Sequence, residues 1–359
     1  MNAQLAPLPP AYRVLDGGPS PADARGPAIG VWRDSLAAEE ALLHARFDAL
    51  VERSPHGRPV IRFVEHATDG IVGFLALAPR PMRCGARTLR AGVLSHLAIQ
   101  PEHRSLGPAL MLLESVLDAA HDRFDFVYGI PNAHQGAGAV LRRAGFRPLA
   151  ALERSVRIVR HGPYLARRIP RALALPAGPL LDAADALRRR WRGRGRPRLR
   201  TRWAEQYVSA MSAPWDTCGE HAAMTAVRDE AMLRWRFDQG VGTRIRYLLA
   251  EDAAGAVQAW FACGVEAEWP HVLDVHDFWS VDARDGIATE AIGLLLAEAR
   301  RRGHASVSLR AAMADAAASP WHACGFRARD TQQVLVRWLD PALAAAPPVP
   351  HLTYIDQDG

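Results

Sequence analysis

Apolar and polar positions along this chain fall into blocks that recur. "IRFVEHATDGIVGFLAL", Ile61 to Leu77, reads as strand, tight turn at Asp69-Gly70 and strand, because an Asp-Gly pair between two β-rich runs favours a hairpin turn. About 180 residues later "IRYLLAEDAAGAVQAWFA", Ile245 to Ala262, repeats the order, with its turn near Asp252 to Gly255. Each hairpin is followed by a longer apolar strand and then a helical pattern, "ALMLLESVLDAAHDR" in one half and "ATEAIGLLLAEARRRG" in the other. In the first helix Leu110, Leu113, Val116, Leu117 and Ala120 share one face, while Glu114 and Asp118 fall on the other. A further strand follows each helix, "FDFVYGI" and "ASVSLRA", and the halves close on "LRRAGFRP" and "WHACGFRA". Shared order and spacing predict a duplicated α/β architecture. The expected units are residues 1–160, a helical, Arg-rich connector at 161–240, a second copy at 241–340, and a tail at 341–359. The Pro-rich ends "MNAQLAPLPPAY" and "AAAPPVPHLTYIDQDG" are expected to be loose.

Composition narrows the classes. The chain has 359 residues, 49% of them hydrophobic and 23% charged, enough for two cores. It holds no apolar run of about 20 residues that would span a bilayer, and its first residues lack a basic start followed by an apolar core. Cys84, Cys218, Cys263 and Cys324 form no C-x-x-C pair, so a disulfide scaffold or zinc ribbon is disfavoured, no metal is expected, and a reducing cytoplasm fits. The net charge of +6 belongs to one segment, "RRRWRGRGRPRLRTR" from Arg188 to Arg202. Such a run suits an anionic membrane surface, an anionic glycan or the 3′-phosphate of a nucleotide cofactor. With Trp191 as its one interleaved aromatic it offers no stacking platform, so nucleic acid is disfavoured. A solvated connector accounts for it equally well.

The most informative stretch is "HLAIQPEHRSLGPALMLLESVL", His96 to Leu117, where a strand breaks at Pro101 and a helix resumes at about Ala109. The first N–H groups of a helix have no intrahelical partners and sit at the positive end of its dipole. Phosphates bind there, especially where a glycine allows close approach. A helix start with a glycine turn, Pro108 near its first position and nothing bound explains the same residues.

The surrounding elements distinguish these alternatives. Arg104, Gly107 and Ala109 after the strand "VLSHLAIQP" resemble the Q/R-x-x-G-x-G/A motif of the GNAT acyl-CoA transferases, and Asn132 with Gly145-Phe146 resembles that family's "N…GF" ending. The resemblance covers residues 30–155 and extends weakly over 240–335. It implies two tandem GNAT-like domains, each a mixed, mostly antiparallel sheet flanked by helices. It also implies acetyl-CoA or another acyl-CoA as co-substrate and a small-molecule primary amine as acceptor. Arg104, Ser105, Leu106, Gly107, Ala109 and Asn132 would then hold the cofactor phosphates. Backbone amides at Leu97, Ala98 and Ile99 would hold the pantetheine and polarise the thioester.

Three departures qualify the implication. Pro108 removes one amide donor. Leu141 stands four residues before the glycine of "GF", where many members carry a tyrosine that protonates the leaving thiolate. In the second half Ala283-Arg284-Asp285-Gly286-Ile287-Ala288 puts an acid where a pyrophosphate would lie, marking a degenerate copy. Candidates for acid and base are His96, Tyr128 and His134, with Ser95 and Glu65 beside them. "DEAMLRWRFDQ", Asp229 to Gln239, is similar to an L-x-W-R stretch of tandem GNAT-like proteins encoded with bacterial polysaccharide genes, which points to an amino sugar or cell-envelope precursor. A helix packing Leu233 and Trp235 into a core explains it too. Two alternatives stand beside acyl-CoA-dependent transfer. One is an aminoacyl-tRNA-dependent transferase of the peptidoglycan cross-bridge type, which does not need the phosphate loop. The other is an acyl-CoA-binding protein whose catalysis has lapsed.

Overall fold

The computed structural model describes residues 11–18, 20–36, 38–132, 136–166, 177–184, 198–217, 223–282 and 286–357. Its strands are β1 (Tyr12–Asp16), β2 (Val60–His66), β3 (Gly70–Cys84), β4 (Arg87–Ile99), β5 (Phe126–Gly129), β6 (Arg147–Ile158), β7 (Arg200–Ala204), β8 (Thr225–Ala226), β9 (Arg246–Glu251), β10 (Val257–Gly264), β11 (Val272–Ser280), β12 (Ser306–Ala311) and β13 (Arg327–Trp338). They join in one sheet of order β1-β2-β3-β4-β5-β13-β6-β12-β11-β10-β9-β7, with β8 on β3.

That order is symmetric about its middle. β2-β3-β4 and β9-β10-β11 are antiparallel, while β4-β5 and β11-β12 are parallel. The closing strands are exchanged: β13 of the second half lies between β5 and β6, and β6 of the first half lies against β12. Each half thus covers the edge the other would expose, which removes two unpaired ladders. The boundary expected at residue 160 falls just after a strand that the second half also uses.

The helices that position the first half's strands are α1 (Pro21–Ser35), α2 (Glu40–Phe47), α3 (Leu106–Asp118) and α4 (Ala137–Arg143). Trp32 and Phe47 of α1 and α2 pack on one face with Phe74, Ala76, Ala78 and Val93. Leu112, Leu113, Val116 and Leu117 of α3 pack on the other with Leu75, Leu77 and Leu94. The alternation along β3 sends successive side chains to opposite layers. Helix α3 begins at Leu106, earlier than the apolar pattern indicates. Pro108 is its third residue, where the missing N–H had no intrahelical partner.

The paired "GF" endings are helix stops. After α4, Gly145 at φ 85° donates its N–H to Arg142 O, and Phe146 N–H reaches Leu141 O. After helix Asp315–Ala323, Gly325 at φ 90° and Phe326 do the same with His322 and Trp321. In both, glycine takes the left-handed turn and the phenylalanine folds back into the core.

Two expectations are corrected. The closing residues are not a loose tail: Leu352, Ile355 and Asp356 are fully buried, Pro350 bridges to Met224, and Leu352 bridges to Ala312. Leu352 packs in the core with Trp32 and Phe74, and Ile355 in the core with Trp260 and Trp279, a bridge between the two that the sequence does not display. Part of the arginine run is also no connector. Arg200–Ala204 forms the edge strand β7, where Arg202 pairs with Glu251; Arg188 to Pro197 lies outside the described residues.

Candidate functional site

The parallel pairing of β4 with β5 covers Ala91, Gly92 and Val93. Beyond Val93 the strands part, because β5 ends at Gly129 while β4 runs on to Ile99. On its other edge β4 is bulged: Phe74 pairs with Ala98 and Ala76 with Ser95, so Leu75 faces both His96 and Leu97. His96 takes φ 57°, the one non-glycine residue at positive φ among the described residues, and its ring lies 4.8 Å from that of Trp32. Strained backbone of this kind is retained where surrounding packing enforces it. Leu97 is half-buried, and Ala98 and Ile99 are buried.

β4 leads through the turn Pro101–His103 into α3. Ser105 occupies the N-cap without a side-chain cap, leaving the N–H groups of Leu106 and Gly107 at the helix mouth. A Cβ placed on Gly107 would meet nothing within 4 Å, so the space above it is open. Leu106 is half exposed at 48%. The turn itself is tied down: Tyr12 Oη lies 3.1 Å from His103 Nδ1, and Asp69 bridges His103 at 3.2 Å and His66 at 2.8 Å. Among the described residues His66, Asp69 and His103 form the one grouping dense enough to hold a metal ion, a cluster scattered too widely in sequence to be read there.

The other candidates are not all brought together. Arg104 turns its Nε back to donate to Ile99 O at 3.1 Å, closing the end of β4. Ala109 is buried in the first turn of α3. Asn132 is exposed beyond β5, and His134 lies outside the described residues. Tyr128 is fully buried and donates its hydroxyl to Asp356 O at 2.8 Å, away from the open part of β4. Ser95 is buried, with its hydroxyl 3.5 Å from Val93 O. Glu65 is paired with Arg13 at the sheet edge. Leu141 is buried against Gly129 and packs in the same core as Leu94, so an apolar group fills its position.

The second half differs at the equivalent place. A Cβ on Gly286 would lie 2.9 Å from Ala317 Cα and 3.1 Å from Ala317 O, so helix Asp315–Ala323 closes the space that stays open above Gly107. Ala283, Arg284 and Asp285 lie outside the described residues.

One feature escapes the sequence entirely. Ala262 pairs with Asp277 and Cys263 with Val275, which leaves His276 at a bulge of β11, the strand that corresponds to β4. His96 and His276 thus stand at matching bulges and line one cleft of about 70 Å³. Arg46 and Leu50 of the first half, Arg80 of β3, and Trp235, Arg236 and Tyr354 of the second half complete its walls. Trp235 crosses the seam, donating its indole N–H to Ala49 O at 2.8 Å, while Leu233 fills the second half's core. His276 is 5% exposed, and burial, reinforced by the Arg236 charge, pushes its pKa down to about 4.

No family model matches the chain, and no curated protein matches it in sequence. Solved structures do match in shape. A GCN5-related N-acetyltransferase from Kribbella flavida has a TM-score of 0.62 at 16% identity, over 94% of this chain and 73% of that one. A GCN5-related N-acetyltransferase from Anabaena variabilis gives 0.63 at 11%, over 91% and 73%. A probable N-acyltransferase of unknown function from Enterococcus faecalis gives 0.62 at 10%, over 92% and 73%. The chain therefore has a GNAT-like fold, a mixed and mostly antiparallel sheet flanked by helices. Among the described residues no helix is long and apolar enough to cross a membrane.

Proposed function

We propose that the protein transfers an acyl group from acyl-coenzyme A to a primary amine. The observation that carries this is the continuity of the bulged, splayed strand β4 with the open helix mouth at Leu106-Gly107. A pyrophosphate fits the helix mouth, where two N–H groups and the dipole face it without a side chain in the way. The pantetheine would lie along Leu94 to Ile99, on the edge that β5 has left. The thioester would then end near His96, at the wall of the cleft that receives the amine.

In the reaction the amine nitrogen attacks the thioester carbonyl carbon. The C–N bond forms, the C–S bond breaks, and the thiolate leaves and takes up a proton. His96 is the residue placed to accept the proton the amine loses. Backbone N–H groups of β4 near Leu97 stabilise the oxyanion. Because Leu141 is apolar and Tyr128 is engaged by Asp356, the thiolate takes its proton from solvent.

GNAT-fold structures at 10–16% identity support the general reaction class. An amino-sugar or cell-envelope acceptor rested on Leu233-Arg234-Trp235-Arg236, and packing now accounts for Leu233 and Trp235. The test is calorimetric titration of wild type and Gly107→Glu with acetyl-CoA. Saturable binding that the substitution abolishes is expected, since the introduced carboxylate would fill the phosphate space with like charge. Absence of binding to the wild type would overturn the reading.

A further inference from the structure

Resting on the acceptor site just proposed, we infer that the acceptor amine carries an anionic group, a carboxylate or a phosphate, bound by Arg46 and Arg80 in the cleft between the halves. Sixteen residues line this cleft, among them three arginines and two histidines and no aspartate or glutamate. A wall so composed repels a polyamine and attracts an anion.

Arg80 is the decisive residue. It is 2% exposed, its Nη1 donates to the Ile355 carbonyl, and its guanidinium lies 5.3 Å from the centre of the Trp235 ring. Its Nε has no hydrogen-bond partner. A buried cation with an unused N–H is expensive unless something completes it. Of the carboxylates behind it, Asp277 is engaged by Arg228; Asp356 accepts from Thr353 N–H through Oδ2 and offsets part of the Arg80 charge at a distance, but it makes no hydrogen bond to the guanidinium. Arg46, from α2, makes no ion pair among the described residues and faces the same space.

His276 is a second, independent sign. It is 5% exposed, and neither ring nitrogen has a partner. Arg80 and His276 both line the cleft, and among the described residues these nitrogens lie unpartnered just beneath its surface, where a small side-chain shift would let a polar ligand complete them. The guanidinium fork suits the paired oxygens of a carboxylate or phosphate. Trp235, Phe237 and Tyr354 supply apolar walls for the carbon skeleton.

The test compares matched amines that differ in the anionic group: phosphoethanolamine against ethanolamine, and γ-aminobutyrate against butylamine. In thermal-shift measurements the anionic member of each pair is expected to raise Tm, and the neutral member is not. The rise should survive in Gly107→Glu, which blocks the helix mouth, and disappear in Arg46→Gln and Arg80→Gln. Should Arg80→Gln fail to fold, Arg46→Gln at the half-buried rim decides. In a thiol-release assay with acetyl-CoA, the anionic amines should turn over about tenfold faster or more, the worth of one charge-assisted contact. Equal shifts from the neutral amines, no shift from the anionic ones, or a shift that persists in Arg46→Gln would each overturn the inference. If acetyl-CoA does not bind but the anion-dependent shift behaves as expected, the acyl-transfer reading falls and the anion site stands.

Discussion

The joint between the cleft and the second core rests on one buried ion pair, and the neutral substitution Asp277→Asn tests it. Arg228 and Asp277 are both fully buried. Arg228 Nε and Nη2 each donate to Asp277 at 3.0 Å, Nη1 donates to Ala226 O at 2.9 Å and to the Thr225 hydroxyl, and the guanidinium lies 4.8 Å from the centre of the Trp279 ring. Asp277 also accepts the Thr353 hydroxyl at 2.7 Å, which ties down the segment carrying Tyr354 and Ile355. Removing the negative charge while keeping the shape leaves the buried Arg228 with only the more distant Asp356, 4.0 Å from its Nη2, as counter-ion, at a cost toward the lower end of about 3–5 kcal/mol. That is a large part of a typical stability of about 5–15 kcal/mol. Urea unfolding should show the loss as a lower midpoint at unchanged slope. Limited proteolysis should find the closing segment released first, because the single oxygen that asparagine keeps must serve both Arg228 and the Thr353 hydroxyl. A loss below about 1 kcal/mol would refute the reasoning.

Other outcomes follow from the same geometry. His96→Asn, which tolerates the left-handed backbone, should lower kcat by about 10²- to 10⁴-fold and leave acetyl-CoA affinity unchanged; a fall in affinity alone would remove His96 from the chemistry. Gly325→Ala should cost about 1–2 kcal/mol in chemical denaturation, because an alanine resists φ 90° and its Cβ would sit 3.2 Å from Arg157 Nε. His276 has a folded pKa of about 4, below its usual 6.5, so the unfolded chain binds more protons and stability is lost as pH falls through that window. The full effect is ~3 kcal/mol. Asp356, with its carboxyl pushed up to about 6 chiefly by burial, acts in the opposite sense. The Tm of His276→Gln minus that of wild type should therefore grow as pH drops from 6.5 to 5, and a constant difference would refute the linkage.

Periodicity and turn chemistry, which depend on near neighbours alone, located both hairpins, the helix that follows each and the paired "GF" endings, but not α1 and α2 or the role of those endings as helix stops. The endings carry local hydrogen-bond patterns that need a glycine at one place and an apolar residue after it, so they are visible in a few letters. The helix mouth at Leu106-Gly107 was legible for the same reason. The sequence also suggested that the second copy had lost the cofactor; what closes its site, the backbone of Ala317 above Gly286, is a contact between segments 31 residues apart in the chain. The exchange of β6 and β13 could not be read, because a strand's own residues specify which face is buried and not which edge it will join. The closing segment looked like a tail because its prolines and alanines carry little periodicity, and its anchors, Arg80, Tyr128 and Asp277, lie between 76 and 275 residues away. The cleft needed the tertiary structure most. Its walls come from α2, β3, β4, β11 and the closing segment, and the burial that leaves Arg80 Nε and the His276 ring nitrogens unpartnered among the described residues exists only once those elements have packed.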